Sequence, residues 1–237
     1  MVSRECIWYI SKYVVPPDES TTGGRGYMLM RELVKSGHKC LIFASDASEY
    51  STVPDLKTCY KEEIMDGLSF WWVRTLKYAG ARSFWRILSW LHFEWRLVRM
   101  PKAELPVPDA IIVSSLSILT ILNGFLLRNK FRCKLIFEVR DIWPLTLTEE
   151  GGFSKFNPFI FGLSLIEKLG YKYSDIIVGT MPNLEEHVAK VLGYERVVSC
   201  VPMGLDVDKC MKFCVCLWIT KKAISRMRNF WWCTLEA

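Results

Sequence analysis

The stretch from Cys6 to Ala44 constrains the fold more than any other part of the chain. Cys6–Ile10 is a short apolar run of strand-forming residues. A loop follows, Ser11–Gly24, carrying Pro16-Pro17 and Gly23-Gly24. Tyr27–Lys35 then has helical spacing (Leu29, Leu33, Val34) and stops at Gly37, a residue suited to a helix C-terminus. Lys39–Ala44 is a second apolar strand. Strand, glycine-bearing loop, helix, strand is a βαβ crossover, which pairs its strands in parallel.

The alternation continues. Ser48–Lys61 is polar and reads as irregular, and Leu68–Val73 is a strand. Arg82–Met100 is a helix, and Ala110–Val113 and Lys134–Val139 are strands flanking a helix over Leu116–Asn129. Asn157–Tyr173 opens on Asn157-Pro158, a cap and first-turn pair. Ser174–Val178, Pro182–Leu192 closed by Gly193, and Arg196–Val201 complete a strand, helix, strand series. The pattern predicts an α/β fold, a doubly wound, Rossmann-like parallel sheet of six or seven strands. Ala110–Leu127 lacks charge and approaches the length of a membrane span. Its serines, Thr120, Asn123 and Gly124 make it a buried strand, a turn and a buried helix instead. Arg4, Glu5 and Lys12 interrupt the N-terminal apolar run, so no signal peptide is expected.

Charge narrows the function classes. The net charge is +6, but five basic residues against one acid lie beyond Met211, so the rest of the chain carries only +2. A near-neutral body argues against a nucleic-acid binder. Cys6, Cys40, Cys133 and Cys200 sit in or beside apolar runs, as small hydrophobes do. Cys210, Cys214 and Cys216 cluster without a histidine nearby. The set reads as reduced thiols, with neither a disulfide framework nor a metal site.

Three stretches carry candidate chemistry. In Leu135–Pro144, a strand ends on Arg140-Asp141-Ile142-Trp143-Pro144, and Pro144 biases Trp143 away from helix, so the chain turns there. Ligands of open α/β sheets bind outside the carboxyl ends of strands. An Arg, an Asp and a Trp at such an end meet a ligand, or the Arg140–Asp141 pair merely closes a loop; residue types leave both readings open. In Pro16–Gly26, Gly23 and Gly24 allow close backbone approach before a helix N-terminus, and Arg25 adds a charge for a phosphate or carboxylate. The spacing is not the dinucleotide fingerprint. A plain turn before a helix remains the other reading.

The third stretch is Arg82–Arg99. Arg82, Arg86, Arg96 and Arg99 fall on one helical face, and Phe84, Ile87, Leu91, Trp95 and Val98 on the other. With Trp85, Trp90 and Trp95, it suits an anionic membrane interface. A surface helix with solvated arginines is the alternative. His38 is expected to satisfy a strand edge, and His92 and His187 have no matching ligand partners.

The motifs together resemble the N-terminal domain of family 4 glycosyltransferases of the GT-B fold. The likeness rests on the Pro-Pro…Gly-Gly loop, the helix ending in Gly37-His38, Glu138-Val-Arg-Asp-Ile-Trp-Pro144 and Pro202-Met-Gly-Leu-Asp206. It is strongest to bacterial enzymes of O-antigen and capsule synthesis, including N-acetyl-fucosamine transferases, and spans Tyr9 to Asp208. The resemblance implies two Rossmann-like domains facing across a cleft. The N-terminal one receives a lipid-linked saccharide at the inner face of the bacterial inner membrane. The other binds the nucleotide-sugar donor, and no metal or other cofactor takes part.

Under the same resemblance, Gly23 and Gly24 line the cleft near the donor diphosphate, and Arg25, Glu138 and Trp143 contact substrate. Asp141 and Arg140 occupy the catalytic His-Asp place of many relatives, with Arg140 a departure. Trp85, Trp90, Arg82, Arg86, Arg96 and Arg99 form the membrane and acceptor face. The expected domain is 1–208. Residues 209–237 lack a clean period and read as a truncation or frameshift product, because the family's Glu-x7-Glu donor motif has nowhere to sit. The chain is thus expected to be inactive alone, cytoplasmic and peripheral to the membrane. Two rivals stay open: a non-catalytic membrane module that binds a glycan or a partner subunit, and a sugar-nucleotide epimerase-like enzyme.

Overall fold

The computed structural model describes residues 4–17, 24–47, 53–78, 84–149 and 157–203. Gly23, Arg82, the expected boundary at Asp208 and the whole of 209–237 lie outside them. Eight strands form one sheet: β1 (Cys6–Ile10), β2 (Lys39–Ser45), β3 (Tyr60–Met65), β4 (Leu68–Val73), β5 (Ala110–Ser114), β6 (Lys134–Val139), β7 (Ile176–Gly179) and β8 (Ser199–Cys200). Their spatial order is β3-β4-β2-β1-β5-β6-β7-β8. All neighbours pair in parallel except β3 with β4. The fold is a doubly wound α/β sheet, as the alternation predicts.

The antiparallel strand β3 takes in only Tyr60 and Lys61 of the Ser48–Lys61 stretch, whose described residues 53–59 are irregular as expected, and it corrects the count of six or seven strands. Asp66 and Gly67 both adopt positive φ, +50° and +77°. A two-residue turn of that kind matches the twist of the strands it joins, and Asp-Gly is among its preferred sequences. β3 is an edge strand with Glu62 exposed, so its polar composition fits its place.

Strand periodicity divides the core. Trp8 and Ile10 of β1 point to one face and Ile7 and Tyr9 to the other. Helix α1 (Arg25–Lys35) covers the second face through Tyr27 and Met30. Helices α2 (Phe84–Arg99), α3 (Thr120–Phe131), α5 (Pro158–Tyr173) and α6 (Leu184–Leu192) cover the first. They do so through residues such as Phe93, Leu97, Ile121, Tyr171 and Val188. A short helix α4 (Leu145–Glu149) follows the Trp143–Pro144 turn, which the sequence places correctly. α5 starts as its sequence dictates: the Asn157 side chain accepts the Phe159 N–H at 2.9 Å, and Pro158 takes the first turn. The Ala110–Leu127 stretch is a strand, a 3-10 turn over Ser115–Ser117 and a helix. No helix among the described residues is long and apolar enough to cross a membrane.

The chain leaves β1 toward β2 and β4 on one side, and later fills β5, β6, β7 and β8 on the other. The switch therefore lies between β1 and β5. Carboxyl ends that diverge there leave a crevice, the usual ligand position in such sheets.

Candidate active site at the carboxyl edge of the sheet

Two clusters occupy this edge. In the first, Tyr9 near the end of β1 donates its hydroxyl to Glu138 Oε2 at 2.5 Å. Arg25, the first residue of α1, donates Nε–H to Glu138 Oε1 at 2.9 Å. Its two other nitrogens donate to the carbonyls of Pro202 at 2.7 Å and Val201 at 2.9 Å. Glu138 is 2% exposed, so its charge is held inside the fold by a cation and a phenol. Burial first, and then the Glu138 charge, push the Tyr9 hydroxyl far above its ordinary range. Tyr9 is a fixed hydrogen-bond donor. Arg25, expected to face a phosphate or carboxylate, spends its guanidinium on Glu138 and the β8 exit.

Gly24 lies just before α1, its N–H bonded to the Val15 carbonyl at 2.8 Å. Gly26 explains how α1 comes so close to β1: a Cβ there would sit 2.5 Å from the Tyr9 ring. The glycine permits the packing that seats Arg25 beside Glu138.

The second element of the edge is the turn after β6. Ser115, just beyond β5, accepts from the N–H groups of Arg140 at 2.8 Å and Asp141 at 3.0 Å, and donates to the Asp141 carbonyl at 3.0 Å. The Trp143 indole donates to the Ser115 carbonyl at 2.6 Å. One buried serine thus fixes the backbone of Arg140 and Asp141 and the ring of Trp143. Arg140 and Asp141 are both half-buried.

A cation–aromatic group lies beside them. Lys12, two residues past β1 and fully buried, donates to the Ala47 carbonyl at 3.3 Å and lies 4.7 Å from the Tyr13 ring centre. Trp90 donates its indole N–H to the Tyr13 hydroxyl at 2.6 Å, and that hydroxyl is 3.1 Å from Tyr78. Trp90 also packs edge-on against Trp143, with ring centres 5.5 Å apart. The Arg86 guanidinium lies 5.5 Å from the Trp90 ring. The hydroxyls of Ser11 and Ser117 are buried with no hydrogen-bond partner. At a crevice, such groups can still be satisfied by a ligand or water.

The structure brings Gly24, Arg25, Glu138, Arg140, Asp141, Trp143, Arg86 and Trp90 to one edge. It separates Trp85, Arg96 and Arg99, which lie along α2, and Trp85 is 59% exposed. Trp90 corrects the membrane-face assignment: it is 3% exposed, because α2 turns Trp90, Phe93 and Leu97 inward. The expected apolar face is partly the outer one, with Leu91, Trp95 and Val98 about half exposed. The sequence reading overlooked Lys12, Tyr13, Tyr78 and Ser115. The rule that ligands gather just past strand ends at the switch point would have found Lys12, Tyr13 and Ser115. His38 accepts the Glu5 N–H at 3.4 Å, bonding at a strand edge as expected. Among the described residues, no group of His, Cys, Asp or Glu is placed to hold a metal ion.

No protein-family model matches the chain. No curated protein matches it either. Solved structures do. Sucrose-phosphate synthase from Thermosynechococcus elongatus superposes with a TM-score of 0.60 at 16% identity, over 86% of this chain and 49% of that one. A second sucrose-phosphate synthase structure from that organism gives a TM-score of 0.53 at 13% identity, over 91% of this chain and 98% of that one. An Arabidopsis thaliana protein, UGT89C1, solved with UDP-L-rhamnose, gives 0.48 at 12% identity, over 86% of this chain and 50% of that one. The chain spans about half the length of the first of these. The likeness establishes the fold: a Rossmann-like α/β domain of the kind found in GT-B glycosyltransferases.

Proposed function

We propose that the chain is the acceptor-side half of a glycosyltransferase that moves a sugar from a nucleotide sugar to a lipid-linked saccharide. The reading places it in bacterial surface polysaccharide synthesis, O-antigen or capsule, at the inner face of the inner membrane. The observation that carries it is the Arg140-Asp141-Ile142-Trp143 turn, held on Ser115 beside the switch point. A carboxylate there can accept a hydrogen bond from an acceptor hydroxyl, and a guanidinium can hold a phosphate. Trp143, expected to contact substrate, is 5% exposed and packed on Trp90, so it braces the turn from inside and offers no open face to a sugar. Gly23 and Gly24 would approach the donor diphosphate from the loop before α1. The half-length match to a synthase fits a chain that supplies one wall of a two-domain cleft. In this reading the second wall, with the donor site, is needed for turnover, and residues 1–208 form the acceptor domain. The exposed Trp85, Arg99 and the neighbouring Arg96 would meet anionic head groups.

The reading is tested by titrating the full chain with undecaprenyl-diphosphate N-acetylglucosamine in detergent and, separately, with a UDP-sugar. Saturable binding of the lipid-linked sugar, weakened by Arg140→Ala, supports it. Tight nucleotide binding by this chain alone would favour the epimerase-like reading instead.

A further inference from the structure

The outer surface of α2, α3 and α5 is unusual in its charge. Across these three helices only two acids occur, Glu94 and Glu167. Glu167 is 2% exposed and bonded to Tyr171 and His187. Glu94 is also turned into the fold: Thr120 donates to its Oε1 at 2.7 Å and Asn123 to its Oε2 at 2.5 Å. The basic residues of the same helices number seven: Arg86, Arg96, Arg99, Arg128, Lys130, Lys168 and Lys172. By contrast, α1 and α6 carry the outward acids Glu32, Glu185 and Glu186. Arg86 belongs to the carboxyl edge and Arg128 lies 3.8 Å from Asp175 just past α5, so the helices of this layer present a basic majority and no outward carboxylate of their own.

The same surface is apolar where two helices meet. Leu91, Trp95 and Val98 of α2 face Leu122 and Leu126 of α3 across a groove of about 180 Å³, with Leu119 at one side. Those five outer residues are each between 41% and 59% exposed. The only polar side chains lining the groove are Glu94 and Asn123, which satisfy each other. Beside the groove, Arg99 lies 4.9 Å from the Trp95 ring, and Arg96, 5.5 Å from it, also donates Nε–H to His92 at 3.1 Å and Nη1–H to Cys59 Sγ at 2.7 Å.

We propose that the groove between α2 and α3 takes up one hydrocarbon chain of an anionic membrane lipid, with the phosphate of that lipid at Arg96 and Arg99. The inference rests on the membrane reading above and extends it from a surface to a site. Charge complementarity selects the occupant, because a predominantly basic surface around a largely apolar slot matches an anionic head group with an alkyl tail. The seated chain would cover Trp95 and Leu126 and anchor the domain with its carboxyl edge at a fixed height above the bilayer.

The test uses the full 237-residue chain and vesicles of phosphatidylcholine, with or without phosphatidylglycerol brominated at mid-chain. Sedimentation reads membrane binding, and bromine quenching of tryptophan fluorescence reads contact with the chain. Subtracting the Trp95→Phe signal isolates Trp95. A Val98→Phe/Leu122→Phe variant fills the groove while leaving the surface apolar. The expected result is binding to the anionic vesicles, strong Trp95 quenching, and at least a threefold loss of that quenching in the filled variant with sedimentation unchanged. Equal quenching in the filled variant, or none in the unaltered chain, overturns the groove while leaving the membrane reading intact. Absence of vesicle binding overturns both, and concentration-dependent self-association lost in the filled variant would then assign the groove to a second copy of the chain.

Discussion

Arg25 and Glu138 meet at 2.9 Å across the carboxyl edge, joining the first turn of α1 to the end of β6. The remaining nitrogens of Arg25 hold the carbonyls of Val201 and Pro202, so one side chain gathers the glycine loop, the central sheet and the exit from β8. Breaking one partner of such a pair leaves a buried charge without compensation. Arg25→Ala is expected to cost about 3–5 kcal/mol. Arg25→Ala/Glu138→Gln should recover part of that loss, since the orphaned charge is gone. Urea unfolding of both single variants and the double variant checks this; strictly additive losses would refute the coupling.

Gly26→Ala tests the approach of α1 to β1. Its new Cβ would meet the Tyr9 ring at 2.5 Å, a distance that forces ring or helix to move. Overpacking of this kind costs roughly 1–3 kcal/mol. Because Tyr9 bonds Glu138, the shift should also disturb the Arg25 contact. A tyrosine ring resonance unchanged by the substitution would argue against this packing.

Ser115→Ala removes the acceptor of two backbone N–H groups and the donor to one carbonyl. Leaving such groups unpaired in a buried turn costs about 1–3 kcal/mol. Amide exchange at Arg140 and Asp141 should quicken by more than tenfold while exchange in β1 and β2 stays as it was. Uniform acceleration across the sheet would mean that Ser115 acts on global stability alone.

The chain should also lose stability as pH rises through neutrality. Burial is the main cause that raises the Glu94 carboxyl to about 7; bonds from Thr120 and Asn123 and the charge of Lys12 oppose it. In the unfolded chain the group ionises near its ordinary 4.5, so the folded state binds the extra proton between those values. Its contribution is full below about pH 4.5 and is lost as pH passes 7, a change of roughly 3 kcal/mol. Glu94→Gln should flatten that part of the profile. Thermal melts from pH 4.5 to 8 measure it; an unchanged slope in the variant would assign the dependence to another group.

Much of this architecture was legible in sequence because each element carried its own signals. Asn157-Pro158 started α5, Gly193 ended α6, and apolar runs marked β1, β2 and β4–β7. The missed strand β3 had its signal in Asp66-Gly67, but its edge position made it polar, and apolar content could not reveal it. α2 misled for the opposite reason. Apolar residues surround it, with Trp90, Phe93 and Leu97 inside and Leu91, Trp95 and Val98 outside, so spacing could not decide which face was buried. The turn after β6 was found because an Arg, an Asp and a Trp ended a strand. Its tether Ser115 and its neighbours Lys12 and Tyr13 became meaningful only when strand order placed β1 beside β5.

The central claim, that Arg140 and Asp141 present a lipid-linked acceptor to a donor held elsewhere, is tested most directly by acceptor binding. Undecaprenyl-diphosphate N-acetylglucosamine should bind the full chain saturably. Arg140→Ala and Asp141→Asn should each weaken binding at least tenfold without changing the unfolding midpoint. A UDP-sugar should bind only weakly. Tight UDP-sugar binding with no response to the acceptor, or acceptor binding indifferent to both substitutions, would contradict the account.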